Sequence, residues 1–100
     1  MNDGPAIKLD AATVPRLKPH VRLQFNEARK RWVVQAPERV LMPDEIAVTV
    51  LQRCDGAATI ATIAAGLARD FDAPADVVQG DVIEMLQDLA EKGIIDDVRA

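Results

Sequence analysis

The side chains that could do chemistry are few in this chain of 100 residues, and they lie far apart. The single histidine, His20, has no cysteine or second histidine at metal-ligand spacing. The single cysteine, Cys54, falls among apolar residues at helical spacing, which predicts a buried and unreactive thiol. Asp96 and Asp97 lie near the C-terminus, where we expect two solvated carboxylates. With no phosphate-binding glycine loop, nucleophile elbow or HExxH motif, the sequence predicts neither an enzyme nor a metal or cofactor site.

Composition indicates one small domain. Apolar residues make up 49% of the chain, enough for a single core, and only Phe25, Trp32 and Phe71 are aromatic, so we expect that core to be aliphatic. No run approaches the ~20 apolar residues of a transmembrane helix, and the first residues lack the pattern of a secretory signal. One cysteine forms no internal disulfide. These features predict a cytoplasmic protein that does not bind membranes.

The first half of the chain predicts strands. Residues 1–15 show no periodicity and are expected to be a flexible arm or linker that precedes a domain over residues 16–100. Apolar and polar residues alternate over residues 21–25, and β-branched and aromatic residues follow over 32–35, with a polar hairpin loop between them. A short third strand over residues 39–42 ends at Pro43. Because the strands are close in sequence, we expect an antiparallel meander.

The second half predicts three helices, since the apolar period changes from two to 3.6. Asp44 and Thr59 are expected N-caps, Pro74 suits the first turn of the third helix, and Gly56 and Gly93 are expected to end helices. Ile94 and Ile95 are expected to fold back onto the core. The apolar faces are Ile46, Ala47, Val50, Leu51 and Cys54 in the first helix, Ile60, Ile63, Ala64, Leu67 and Phe71 in the second, and Val78, Val82, Met85, Leu86 and Leu89 in the third.

The predicted fold class is α+β and winged-helix-like, with a three-stranded antiparallel sheet followed by a three-helix cluster. This arrangement raises the alternative of a winged-helix DNA-binding regulator. Residues 1–40 contain eight basic and four acidic residues, whereas residues 41–100 contain four basic and twelve acidic ones. DNA affinity comes largely from lysine and arginine at phosphates. The acidic helical half therefore argues against nucleic-acid binding and leaves protein or peptide recognition.

The third predicted strand is the candidate binding element. If the strands form a meander, residues 39–42 lie at a sheet edge, where unpaired N–H and C=O groups can accept a partner strand. The other interpretation is that this strand is only the connection into the helices and is covered by them. Periodicity alone leaves these two interpretations open.

Four segments of the chain resemble the PqqD family of pyrroloquinoline quinone (PQQ) biosynthesis. They are Pro15-Arg16-Leu17-Lys18-Pro19, Pro37-Glu38-Arg39-Val40-Leu41, Leu51 through Cys54-Asp55-Gly56, and Leu86-Gln87-Asp88-Leu89 before Gly93. The resemblance covers about residues 15–96, and the Pro-Glu-Arg and Cys-Asp-Gly segments are its most specific parts. One position departs from the family pattern: the residue after Pro19 is often glycine, and here it is His20.

This resemblance implies a peptide chaperone, also called a RiPP recognition element. Such domains bind the precursor peptide PqqA and present it to the radical-SAM enzyme PqqE, and some are fused to other pathway enzymes. The resemblance implies that the peptide adds a strand to the third strand of the sheet and lies against the third helix. The expected peptide-binding residues are Arg39, Val40, Leu41, Met42, Val82, Met85 and Leu86. Arg29, Lys30 and Arg31 are expected to steer an acidic peptide.

Overall fold

The computed structural model describes residues 7–99, which form two antiparallel sheets and three helices. The strands are β1 (Pro15–Leu17), β2 (Arg22–Asn26), β3 (Arg31–Ala36), β4 (Arg39–Leu41) and β5 (Ile95–Asp97), and the helices are α1 (Glu45–Leu51), α2 (Ile60–Asp70) and α3 (Ala75–Glu91). The predicted α+β class is confirmed, as is the meander, since β2, β3 and β4 are hydrogen-bonded in that order. In the part of the chain that the structure describes, no helix has the length and apolar character needed to cross a membrane.

Most of the predicted helix ends are confirmed. The prediction that Gly56 ends the first helix is wrong: α1 ends at Leu51, before Cys54, because the chain leaves the helix to pair Asp55 with Arg16 of β1. The side chain of Asp44 accepts a hydrogen bond from the amide of Ala47 at 2.8 Å, and Thr59 caps α2 by accepting from the amide of Thr62 at 3.1 Å. Gly93 follows α3 with a φ of 79°, the left-handed conformation that glycine adopts without strain. The chain can then turn back, and Ile94 and Ile95 are buried in the core as expected.

Two members of the predicted apolar faces are exposed. Phe71 is 62% exposed because it lies one residue beyond the end of α2, with a non-helical φ of −105°, so helical spacing no longer applies to it. Ile46 is 66% exposed because the buried face of the seven-residue helix α1 is rotated toward Val48. The core remains aliphatic, as predicted.

The second sheet was not predicted. It pairs β1 with β5 and joins the beginning of the chain to its end. Asp97, which was expected to be solvated, is instead 6% exposed. Its carboxylate accepts hydrogen bonds from the backbone amide of Val14 at 3.2 Å and from the Arg99 guanidinium at 2.7 Å. The prediction of a solvated pair is therefore wrong for Asp97, because the β1–β5 pairing places it against the N-terminal segment.

Residues 7–15 differ from the flexible arm expected over residues 1–15. Leu9 and Thr13 are buried, and the carbonyl groups of Ala11 and Thr13 accept hydrogen bonds from the first amides of α2 at 3.0 and 2.8 Å. Those amides have no partner within the helix, so the segment completes the helix end. The Gln87 side chain holds the same segment, accepting from the amide of Leu9 and donating to the carbonyl of Ile7, both at 2.9 Å. The rest of the predicted arm, residues 1–6, lies outside the described residues.

Candidate functional site

Strand β4 lies at the edge of the three-stranded sheet. It pairs with β3 on one side only, so its other side has no strand partner within the described chain. The side chains of Val40 and Met42 are 57% and 48% exposed on this part of the surface, and Arg39 is also exposed. Of the two interpretations of this strand, the structure therefore favours an open edge over a covered connection.

The register of β4 indicates which of its backbone groups face outward. The two-residue turn Pro37–Glu38 closes the hairpin on the Ala36–Arg39 pair. In an antiparallel ladder, hydrogen-bonded pairs alternate with non-bonded pairs. Arg39 and Leu41 therefore direct their amides toward β3, whereas Val40 directs its N–H and C=O away from the sheet. The polar groups that a new strand could bond are those of Val40.

The expected contact residues on α3 are not equally available. Val82 and Leu86 are 3% and 0% exposed, and both belong to the core. In this structure they have no surface to offer a peptide, so the expectation that they line a groove does not fit their positions. Both face other core residues because α3 is covered by α2 and by β5. Met85 is partly buried at the margin of the core and is the residue of this group that keeps accessible surface.

The expected steering residues lie at the far end of the β2–β3 hairpin. Arg29 and Lys30 are in the turn, Arg31 begins β3, and all three are exposed. Lys30 has a φ of 58° and pairs weakly with Glu27, at 3.8 Å between exposed side chains. The hairpin end therefore presents a basic surface, at the opposite end of β3 from the Pro37–Glu38 turn.

The one cysteine and the one histidine of the chain have different surroundings. Burial raises the pKa of the Cys54 thiol to about 12, with the neighbouring carboxylate of Asp55 adding to the effect. The thiol donates to the carbonyl of Val50 at 3.3 Å, so it is protonated and inaccessible. His20 is exposed, and residues 7–99 contain no group of three or more histidine, cysteine or acidic residues that could hold a metal ion.

His20 occupies a position that suits glycine. The amide of Val21 donates to the carbonyl of Lys18 at 3.1 Å, which closes a four-residue turn with Pro19 and His20 at its centre. His20 has a φ of 72°. Proline followed by a residue of positive φ is the pattern of a type II turn, which favours glycine at the second central position. The turn thus explains why glycine is common at this position in the family that the sequence resembles, and His20 adopts the same positive φ here.

The exposed face of α3 is acidic. Asp81, Glu84, Asp88 and Glu91 are all exposed on this helix, and Lys92 follows it, paired with Asp88 at 2.8 Å. A helix with this charge would be repelled by the phosphates that line a DNA groove. The structure therefore gives no support to the DNA-binding alternative.

The fold and the open edge define a class: a winged-helix-like α+β domain whose edge strand β4, paired on one side only, lies ahead of its helices. Comparison with known proteins identifies the family. A family model described as Coenzyme PQQ synthesis protein D (PqqD) matches residues 31–95. The chain belongs to the PqqD family, and the resemblance found in its sequence is confirmed.

Two curated relatives illustrate the similarity. The PqqA binding protein of Rhodopseudomonas palustris strain TIE-1 is 50% identical over 93 residues, which cover 93% of this chain and 91% of that protein. The PqqA binding protein of Xanthomonas oryzae pv. oryzae strain PXO99A is 48% identical over 81 residues, which cover 81% of this chain and 88% of that protein.

Two solved structures share the fold. The solution NMR structure of the PqqD truncation of Methylobacterium extorquens PqqCD, described as a functional and stand-alone RiPP recognition element, superimposes with a TM-score of 0.76 at 39% identity. The superposition covers 88% of this chain and 94% of the Methylobacterium extorquens domain. The crystal structure of PqqD from Xanthomonas campestris is 45% identical, with a TM-score of 0.53, and covers 84% of this chain and 93% of that one.

Proposed function

We propose that this chain binds the precursor peptide PqqA as an added strand along β4 and presents it to the radical-SAM enzyme PqqE. The observation that carries the proposal is the open edge of β4, where the register turns the N–H and C=O of Val40 outward. Relatives of this chain are named PqqA binding proteins, and the similar Methylobacterium extorquens domain is described as a recognition element. Both support the same ligand here.

Strand addition suits the chemistry of this edge. Backbone hydrogen bonds to Val40 provide affinity, while the exposed side chains of Val40 and Met42 give the peptide apolar surface to cover. Met85 is the contact we propose on α3. A peptide that becomes ordered on docking loses about 2–5 kcal/mol of its gross interaction energy. A carrier must also release its cargo, so we expect a dissociation constant near micromolar, which corresponds to a binding free energy of about −8 kcal/mol.

The basic end of the β2–β3 hairpin suits an acidic peptide. Arg29, Lys30 and Arg31 are exposed and face solvent, so they would act more on the rate of encounter than on affinity. We propose a binding role without catalysis, in the cytoplasm. A fused or associated pathway enzyme would fit the Methylobacterium extorquens PqqCD protein, from which a PqqD truncation was solved.

The test is an amide NMR titration of the ¹⁵N-labelled chain with synthetic PqqA. We expect shifts clustered on residues 38–43, with the Val40 amide gaining protection from hydrogen exchange. The Leu41 amide, which the register directs toward β3, should change less. A peptide of scrambled sequence is the control. Absence of shifts at millimolar peptide would refute the binding proposal, and PqqE that fails to bind the peptide-loaded chain would refute presentation.

A further inference from the structure

The aromatic residues of this chain lie outside its core. Phe25 is 41% exposed, Phe71 is 62% exposed and Trp32 is partly buried, whereas the buried core is aliphatic. Phe25 and Trp32 face each other across the β2–β3 hairpin, with ring centroids 5.7 Å apart and an interplanar angle of 73°. Exposed aromatic side chains are enriched where proteins bind partners. This pair therefore marks a surface separate from β4.

A cleft of about 720 Å³ opens beside the aromatic pair. One wall is the end of the hairpin, with Phe25 and Trp32, and the other is formed by Pro43 ahead of α1 and by Val48 and Thr49 within it. Pockets for small-molecule ligands have volumes of roughly 300–1,000 Å³. The cleft is therefore large enough for a side chain together with the backbone that carries it.

The backbone of Trp32 has open hydrogen-bonding groups at this cleft. If the β3–β4 register continued past the Val34–Leu41 pair, Pro43 would stand opposite Trp32, but proline has no N–H and the chain leaves the sheet there. By alternation along β3, Trp32 directs its N–H and C=O to the same side as Val34. Among the described residues no backbone hydrogen bond joins these groups to another segment. They can accept an extended chain.

Charge separates the two walls of the cleft. Lys30 and Arg31 stand at the hairpin end, while Asp44 and Glu45 stand at the start of α1. Both residues are exposed, and the carboxylate of Asp44 also accepts a hydrogen bond from the amide of Ala47 at 2.8 Å. The hairpin end therefore attracts a carboxylate, and Glu45 opposes one that lies too near α1.

We propose that this cleft is a second contact site for the docked precursor peptide. Peptide residues that run beyond Leu41 take the strand position beside Trp32 that β4 leaves empty. A large apolar side chain of the peptide then packs on the Phe25–Trp32 pair, and a carboxylate lies toward Lys30 and Arg31. An extended chain advances about 3.3 Å per residue, and the peptide must also shift sideways by one strand spacing of about 4.8 Å, so about three residues past Leu41 reach the cleft. This inference rests on the proposed function, since the occupant is the same peptide.

The single tryptophan gives a probe confined to the cleft. The chain is labelled with 5-fluorotryptophan and titrated with synthetic PqqA, following the ¹⁹F resonance by NMR and total binding by calorimetry. We expect the resonance to shift along the same binding curve. Calorimetric binding with an unmoved resonance would overturn the cleft site and leave the β4 proposal standing. Absence of any calorimetric binding would overturn both.

Charge variants test the contact independently. Steering alone by Lys30 and Arg31 would mainly slow association when their charges are removed. A carboxylate held at the cleft predicts in addition that the Lys30→Gln/Arg31→Gln double variant binds PqqA about three- to tenfold more weakly, since exposed ion pairs each contribute modestly. Glu45→Gln should bind equally or more tightly, because it removes an opposing charge. Arg69→Gln, on an exposed position of α2 away from the cleft, is the matched control. A double variant that binds as well as Arg69→Gln would contradict the proposed carboxylate contact.

Discussion

Replacing Val40 by proline tests the docking edge at one atom. The substitution removes the N–H that the register turns outward and leaves the Ala36–Arg39 and Val34–Leu41 pairs intact. Proline is tolerated in an edge strand where its missing N–H would face solvent. Because the Val40 side chain is 57% exposed, the folded state loses little packing. We therefore expect the variant to fold and to bind PqqA more weakly.

The expected loss follows from one hydrogen bond. A net backbone hydrogen bond contributes about 0.5–1.5 kcal/mol, and a peptide carbonyl left without its donor adds to this. The total of about 1–2 kcal/mol corresponds to a roughly five- to thirtyfold rise in the dissociation constant. Calorimetry measures it, and circular dichroism checks that the variant remains folded.

Two further variants serve as controls for Val40→Pro. Val40→Ala keeps the amide and removes only part of the apolar surface that the peptide covers, so it should weaken binding less than Val40→Pro. Leu41→Pro removes an N–H directed toward β3 and should destabilise the hairpin itself. A folded Val40→Pro variant with unchanged affinity would refute strand addition along β4.

Three predictions concern the rest of the molecule. The hydrogen bond from Arg99 lowers the pKa of Asp97 to about 2. The Asp97 carboxylate therefore contributes to the free energy of unfolding above pH ~4, and this contribution is lost as the pH falls toward 2. Asp97→Asn should lower the free energy of unfolding in urea by about 1–2 kcal/mol at pH 7, and Asp96→Asn should lower it less. The difference between Asp97→Asn and the original chain should narrow at pH 2, and a difference that stays constant with pH would contradict this. Native Cys54 should react with iodoacetamide at pH 8 on the order of a thousandfold more slowly than after unfolding, and equal rates would show an accessible thiol. In thermal unfolding, His20→Gly should be more stable than the original chain by up to about 1 kcal/mol, and His20→Val should be less stable. A His20→Val variant more stable than His20→Gly would exclude the type II turn.

Local signals in the sequence were sufficient for most of the sheet and the helix ends. Asp44, Thr59 and Gly93 act through neighbours within a few residues, so their roles can be predicted from spacing. The β1–β5 sheet could not be predicted this way. Each strand has three residues, and they lie at opposite ends of the chain, so no local period marks their pairing.

The N-terminal segment was missed for a related reason. Ala11 and Thr13 hold α2 through their carbonyl groups, which every residue possesses, so side-chain patterns carry no trace of the contact. The positions of Val82 and Leu86 depend on which parts of α3 its neighbours cover, and helical spacing alone does not decide this. The outward direction of the Val40 amide could be predicted from the sequence, because the Pro37–Glu38 turn fixes the closing pair of the hairpin and the later pairs alternate from it.

The prolines at the two ends of β4 limit aggregation through its open edge. An exposed strand edge invites any other strand to pair with it, and short length, charge and proline limit this risk. Here β4 has three residues, Arg39 places a charge on it, and Pro37 and Pro43 flank it without amides to donate. A second copy could form few hydrogen bonds along so short an edge. A peptide that gains further contacts beyond Pro43, at the cleft beside Trp32, would be favoured over such self-pairing.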